Sequence, residues 1–430
     1  MKTKLLIFGL TGDLGRRKLL PAIERIIRTE EFNNLQIIGV SRRAVRTVEL
    51  LHQAGVATEI ESRLSIYTMD LARSDDYIGL KNHLDLQPDE QLIVYLSVPP
   101  LAATQIVDFM GEAGLNAPNV KILFEKPFGI DLQSAKDVIK RTARYFDEDQ
   151  IYRIDHYLAK EMAQNIVTVR GANAMFSHLW NRDMIEAIEV VSLESIGIEG
   201  RGVFYEQTGA LRDIVQGHLM QLLALVLMDV PPDFDWDKLP QYRLKALSQL
   251  NAARPDLAQR AQYDGYQEEV GNPGSTTETY VSLQLSSNDP DWRGVPLRLT
   301  TGKALHTKTT EIRIHFKKNH DAQSNCLILR IQPKEGIEMQ LFVKKLGYDR
   351  SFLPAKLKYR YPEDIELPDA YEQVIVDAIR ARKSLFTGGE EVLESWRILQ
   401  PLLDSWGFDD RALPNYGVGS TPESVIDCSQ

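Results

Sequence analysis

The sequence predicts an α/β unit followed by an α+β unit: an N-terminal, doubly wound Rossmann-like parallel sheet, then a larger and mainly antiparallel sheet covered by helices. Three observations predict this. A short apolar run stops at a glycine turn and opens an amphipathic helix between Lys4 and Glu30. Apolar runs then alternate with helix-length segments as far as residue 155. Beyond that point strand-like runs follow one another too closely for crossover helices. A chain of 430 residues exceeds one ordinary core, so the change of pattern sets the expected division at 1–155 and 156–430.

Lys4 to Gly9 reads as the first strand, and Leu14, Leu19, Ile23 and Ile26 recur at helical spacing after it. Leu35 to Val40 reads as the next parallel strand, because the roughly 25 residues between the two runs accommodate a crossover helix. Further strands are expected at Leu64 to Met69, Leu92 to Val98 and Val120 to Phe124, separated by helices such as Ala102 to Ala113. In the second unit, Ala187 to Leu193, Thr277 to Leu285, Leu297 to Thr301, Thr310 to Phe316, Cys326 to Gln332 and Glu338 to Val343 read as strands. One long helix is expected over Ala210 to Val230, with two more at Asp369 to Arg382 and Glu390 to Ser405. Asn251 to Asn272 is polar and interrupted by proline, and reads as irregular surface with at most short helical turns.

Composition excludes several function classes. Apolar residues at 43% and charged residues at 26% are ordinary for a globular protein. A net charge of −10 argues against non-specific attraction to nucleic acid or anionic membranes, so an anionic substrate would have to meet a local basic pocket. The two cysteines, Cys326 and Cys428, form no CxxC pair and no disulfide framework, and no metal is expected. The N-terminal apolar run is short, and no stretch approaches ~18 consecutive apolar residues, the length of a membrane span. A cytoplasmic protein is expected.

Gly9, Gly12 and Gly15 form a GxxGxxG turn between strand and helix, where backbone N–H groups can face a pyrophosphate. After the second strand stand Ser41, Arg42 and Arg43, with no acid in reach there. Arginine accommodates the 2′-phosphate of NADP, whereas an acid would hold the ribose of NAD, so NADP is expected and NAD is the weaker alternative. Lys18, about a turn into the helix, is a further phosphate candidate. EKPFG, Glu125 to Gly129, sets Lys126 just outside the carboxyl end of a parallel strand, where doubly wound folds bind ligands; Pro127 is a candidate cis residue. RIDHYLAKE brings together Asp155, His156, Tyr157 and Lys160, and the spacing of His156 and Lys160 predicts one helical face suited to a phosphate dianion. His218, five residues after Asp213, suits a general base near neutrality. TGKALHTK sets Lys303 and Lys308 in what reads as a hairpin turn. Each motif also has an ordinary structural reading, as turn glycines, solvated lysines or a core histidine, and none decides alone.

Taken in order, GLTGDLGRRKLLPAI, EKPFG, RIDHYLAKE, NAMFSHLWNRDMIEAIEVVSLESIGIEGRGVFYEQTGALRDIVQGHLMQLLALV and TGKAL resemble the glucose-6-phosphate dehydrogenase family, and the resemblance continues to Trp396. It implies oxidation of β-D-glucose 6-phosphate to 6-phosphoglucono-1,5-lactone with NADP, in the oxidative pentose phosphate pathway, by a homodimer or homotetramer. It implies His218 as the base and Asp155 as the carboxylate that orients it. His156, Tyr157 and Lys160 match phosphate-binding positions; Glu194, Asp213, Lys303, Lys308 and Gln332 match further substrate contacts. Around the cofactor it implies Gly9, Thr11, Gly12, Asp13, Leu14, Lys18, Arg42, Ser97 and Pro99, with Lys126 touching both cofactor and sugar. The sequence departs from the family's pattern at Thr300, commonly Arg, and at Gly217, commonly Asn. A glycine inside a helix costs about 1 kcal/mol relative to Ala and would loosen the backbone that aims His218. Two other readings stay open: a catalytically weak homologue acting as a binding or assembly protein, and a dehydrogenase of a related sugar or polyol.

Overall fold

The computed structural model describes residues 2–318, 324–362, 367–409 and 411–428. The first apolar run forms β1 (Lys2–Phe8), and the helix beyond the glycine turn begins with a π-wound turn, Gly15–Leu19, before continuing as an α-helix over Leu20–Arg28. β2 (Leu35–Ser41), β3 (Leu64–Thr68), β4 (Glu90–Leu96), β5 (Val120–Phe124) and β6 (Ile151–Ile154) follow. The connections between strands carry helices, as parallel pairing requires, and the six strands lie in the order β6-β5-β4-β1-β2-β3. The expected doubly wound sheet is present.

The second unit contributes β7 (Ile185–Leu193), β8 (Ala258–Tyr263), β9 (Tyr280–Leu285), β10 (Leu297–Gly302), β11 (Thr309–Phe316), β12 (Cys326–Gln332), β13 (Gly336–Lys344) and β14 (Phe352–Arg360). Two short strands complete the set among the described residues, β15 (Phe386–Thr387) and β16 (Asn415–Tyr416). A nine-stranded sheet runs β14-β13-β12-β11-β7-β10-β9-β8-β16, antiparallel except for β7 with β10 and β8 with β16.

Three expectations are corrected. Asn251 to Asn272 is not irregular: it holds β8 and a helix, Tyr266–Val270. Its polar residues are satisfied internally, since the Gln262 amide donates to the carbonyls of Ser275 and Thr277 at 3.2 and 2.9 Å, while Ala261 and Tyr263 point into a satellite core. Residues 303–308 do not close a hairpin, because β10 and β11 lie on opposite sides of β7 and the connection passes the end of that strand. The long helix begins earlier, at Gly202, breaks at Gly209 (φ 61°, ψ −179°), winds as a π-helix over Leu211–Leu219 and ends as Met220–Leu227. The last segment is buried all round, and the whole helix Gly202–Leu227, long and apolar enough to cross a membrane, has 72% of its apolar window packed inside the protein, as a core helix does.

The two sheets are laced together. β15 pairs with β6 as the seventh strand of the first sheet, and the helix Ala370–Ile379 packs Val374, Ile375 and Ala378 into that sheet's core. Arg243, 0% exposed, donates to both carboxylate oxygens of Glu391, at 2.8 and 3.2 Å, and to the carbonyls of Ser384 and Phe386, both at 2.6 Å. Removing one partner of such a buried pair leaves an uncompensated charge and costs about 3–5 kcal/mol. Arg243→Ala is therefore expected to lower the thermal unfolding midpoint by several degrees; an unchanged midpoint in calorimetry would remove this staple from the account.

Candidate active site

At the carboxyl end of β1 the chain must turn beneath β4. Gly9 takes φ +83°, and a Cβ there would lie 2.1 Å from the Ser97 carbonyl oxygen, so only glycine permits the approach. The turn closes as the Gly12 N–H donates to the Gly9 carbonyl at 2.9 Å. The resulting cleft is walled by Gly9, Thr11, Gly12, Ser41, Arg42, Ser97 and Pro99. Asp70, just beyond β3, lines it too, so the cleft does hold an acid. Reading only the end of the second strand misses it, because β3 is the neighbour of β2 in space. The other cofactor candidates turn elsewhere. Asp13 pairs with Arg17 at 2.8 Å in solvent, Leu14 packs against the first core, and Lys18 lies 4.0 Å from Asp369 and 6.0 Å from the centre of the Tyr371 ring.

The ends of β5 and β6 carry the chemistry-bearing groups. Asp155 follows β6 directly and is 1% exposed; its Oδ1 accepts the Tyr157 N–H at 2.9 Å and lies 2.7 Å from Nδ1 of His218. Lys126 follows β5, its peptide to Pro127 is cis, and its Nζ donates to the Asp213 carbonyl at 3.1 Å. The Tyr157 ring stacks on His218, with centroids 4.1 Å apart and planes 11° apart. The π-winding matters here: it turns less per residue than an α-helix, so Asp213 and His218, five apart, come closer to one face than α-helical periodicity would place them, and the Asp213 charge acts on the imidazole. The backbone is helical through Gly217, and His218 is also held from outside by Asp155 and Tyr157.

Electrostatics prepares this pair. Burial disfavours charged imidazole and outweighs the pull of Asp155, while the Lys126 ammonium adds to the effect, so His218 titrates below the ordinary histidine range. Burial alone would raise the Asp155 carboxyl, but its partners His218, Lys126 and the Tyr157 N–H hold it well below the usual carboxylate range. The result is an ionised Asp155 accepting Nδ1–H from a neutral imidazole, whose Nε2 is the nitrogen able to take a proton.

His156 and Lys160 do not share a helical face. Residues 155–160 form successive turns, with Leu158 N–H donating to Asp155 and Lys160 N–H to Tyr157 at 3.1 and 3.2 Å, and the helix starts only at Glu161. The Asp155 carboxylate captures the Tyr157 N–H and curls the segment. His156 Nε2 lies 3.2 Å from Glu125 Oε2, its ring packs on Tyr371, and its buried Nδ1 has no partner among the described residues. Glu125 also accepts the Tyr95 hydroxyl; burial pushes its carboxyl up, and the bonds from His156 and Tyr95 bring it below the usual value. Glu125, Tyr95 and Tyr371 were not singled out from the sequence, although Glu125 opens the EKPFG motif and marked the place.

Lys303 is 3% exposed, forms an ion pair with Glu194 and lies 5.2 Å from the Tyr205 ring centre. The Tyr157 hydroxyl does not face the His156 side. It lies 3.2 Å from Ser192 and receives the Gln332 amide at 3.4 Å, while Gln332 also donates to Thr310 at 3.2 Å. Lys308 is exposed ahead of β11, and Thr300 on β10 lies 3.2 Å from the Ser282 hydroxyl.

A glycine-walled cleft and a buried imidazole–carboxylate pair, both built at the carboxyl ends of strands of one parallel sheet, are the parts of a dinucleotide-dependent dehydrogenase. Comparison with known proteins narrows the class. Residues 6–165 match the family model described as glucose-6-phosphate dehydrogenase, NAD binding domain, and residues 167–428 match its C-terminal domain. The chain is 34% identical to glucose-6-phosphate 1-dehydrogenase of Chlamydia muridarum, over 97% of this chain and 92% of that protein. The crystal structure of glucose-6-phosphate 1-dehydrogenase from Mycobacterium avium superposes with a TM-score of 0.89 at 33% identity, covering 100% of this chain and 97% of that one. A glucose-6-phosphate dehydrogenase in complex with its substrate gives 0.92 at 29% identity with the same coverage. The chain belongs to the glucose-6-phosphate dehydrogenase family, oxidoreductases that use a nicotinamide dinucleotide.

Proposed function

We propose that this chain oxidises β-D-glucose 6-phosphate at C1 to 6-phosphoglucono-1,5-lactone with NADP, in the oxidative pentose phosphate pathway. The observation that carries this reading is the buried His218–Asp155 pair with Lys126 beside it. His218 Nε2 takes the proton of the C1 hydroxyl; it is neutral and ready because burial disfavours its charged form. Ionised Asp155 then stabilises the imidazolium and keeps the ring oriented. A bound nicotinamide supplies the acceptor for the hydride that leaves C1. His156, whose Nδ1 has no partner among the described residues, Tyr157 and Lys160 bind the phosphate; Glu194, Asp213 and Lys303 hold the sugar hydroxyls, with Gln332 and Lys308 as further contacts and the Tyr157 ring also supporting the base. Residues 1–155 hold the cofactor and residues 156–430 the sugar phosphate, and the protein acts as a homodimer or homotetramer in the cytoplasm.

The cleft suits a dinucleotide, since Gly9 and Gly12 leave backbone exposed where a side chain would block it. Arg42 meets the 2′-phosphate, while Asp70 across the cleft can hold a ribose hydroxyl and so tolerates NAD as the weaker cofactor. Arg42→Ala is expected to weaken NADP about tenfold or more, equivalent to ~1.4 kcal/mol, with a much smaller change for NAD. Equal losses in the two titrations would assign the phosphate contact elsewhere.

The deciding assay gives the purified protein NADP or NAD with glucose 6-phosphate or free glucose and follows reduced nicotinamide. The fastest turnover is expected with NADP and the phosphorylated sugar. No turnover in any combination would favour a binding or assembly role, and turnover on free glucose alone a related sugar dehydrogenase.

A further inference from the structure

Gly217 stands immediately before His218 on the π-wound segment, and it is the one residue there whose missing side chain is occupied by another group. A Cβ built on Gly217 would lie 2.2 Å from Nζ and 2.7 Å from Cε of Lys126, distances that van der Waals contact forbids. The lysine stem comes from the end of β5, lays its ammonium into the notch that the glycine leaves, and anchors it on the Asp213 carbonyl. We propose that Gly217 is a positioning residue: lacking a side chain, it berths the Lys126 ammonium against the helix that carries His218 and so sets the charge beside that imidazole. The kinetic part of this inference rests on His218 acting as the base.

The colliding atoms belong to the flexible end of a lysine, so an added methyl displaces the ammonium and not the helix, and alanine is a better helix former than glycine. The charged groups around His218 are Asp155 from the end of β6, Lys126 from the end of β5 and Asp213 on its own helix; those around Lys126 are Asp155, Asp213 and Glu125. Of these, Lys126 alone opposes protonation of the imidazole, while the carboxylates favour it. Moving the ammonium away therefore makes His218 easier to protonate, and the acidic limb of kcat/KM moves to higher pH. A glycine serving only to let the helix pack would leave that limb where it is.

The test is a double-mutant cycle of Gly217→Ala and Lys126→Ala, with thermal unfolding recorded for each variant. Gly217→Ala is expected to raise the acidic limb by roughly half a pH unit or more and to lower kcat/KM about tenfold. Lys126→Ala should move the limb the same way, and adding Gly217→Ala to it should move it no further, because the collision partner is gone. An unmoved limb in either single variant, or a second full shift in the double variant, overturns the proposal. Should Gly217→Ala fail to fold while the double variant folds, the collision with Lys126 is upheld; the limb of Lys126→Ala still decides whether the ammonium acts on His218. Titration of the ¹⁵N-labelled imidazole of His218 by NMR reads the same shift without turnover. A protein that shows the NMR shift but oxidises no sugar phosphate would keep the berth and lose the proposed reaction.

Discussion

Replacing His218 by asparagine is expected to lower kcat by about 10²-fold or more while KM for the sugar phosphate stays nearly unchanged. The amide keeps a polar group near the 2.7 Å contact with Asp155 but has no nitrogen able to take a proton at neutral pH. The phosphate and sugar contacts proposed for His156, Glu194 and Lys303 come from other elements and should persist, which is why the loss falls on turnover and not on binding. Steady-state kinetics with near-normal kcat would sink the assignment of the base. A loss confined to KM would instead make His218 a binding residue.

Asp155→Asn is expected to cost roughly 10²- to 10⁴-fold in kcat. The asparagine carbonyl can still accept from the Tyr157 N–H and from Nδ1–H, since a single oxygen of Asp155 now takes both contacts, so the geometry is largely kept and the charge is lost. The sign of the accompanying pH effect follows from the groups around the imidazole. Asp155 favours protonated His218 against the opposing burial, so its neutralisation drives the imidazole further below the ordinary range, and the acidic limb of kcat/KM moves to lower pH. This is opposite to the direction expected on removing the Lys126 charge. Limbs that move the same way in the two variants would mean that another group sets the profile.

Much of the site's inventory was legible because its signals are local. Gly9 announced itself through a backbone demand, the apolar runs of β1, β2 and β5 through their length and punctuation, and Lys126 through its place just past a parallel strand. Where structure and sequence spacing part, the cause is mostly local register. Spacing of four seemed to align His156 with Lys160, yet the Asp155 carboxylate binds the Tyr157 N–H and replaces the helix with turns. The π-winding of Leu211–Leu219, which sets how Asp213 and His218 are disposed about the helix, has no signature in the periodicity of the apolar residues. Lys303 looked like a solvent-facing turn residue because β7, which lies between β10 and β11, is remote from that loop in the chain.

By itself, the sequence determined the parallel sheet, the glycine turn that opens the cleft and the set of residue types available for chemistry, since periodicity, turn conformation and side-chain identity are properties of short segments. Only the tertiary structure decided which of those residues meet. Asp155 and His218 are 63 positions apart, and Lys126 reaches the Asp213 carbonyl across 87. Both contacts exist because β5 and β6 end side by side and the π-wound segment lies across them. The same packing turned Gly217 from an apparent weakness of a helix into the notch that holds an ammonium, because a missing side chain acquires meaning only from what occupies its place.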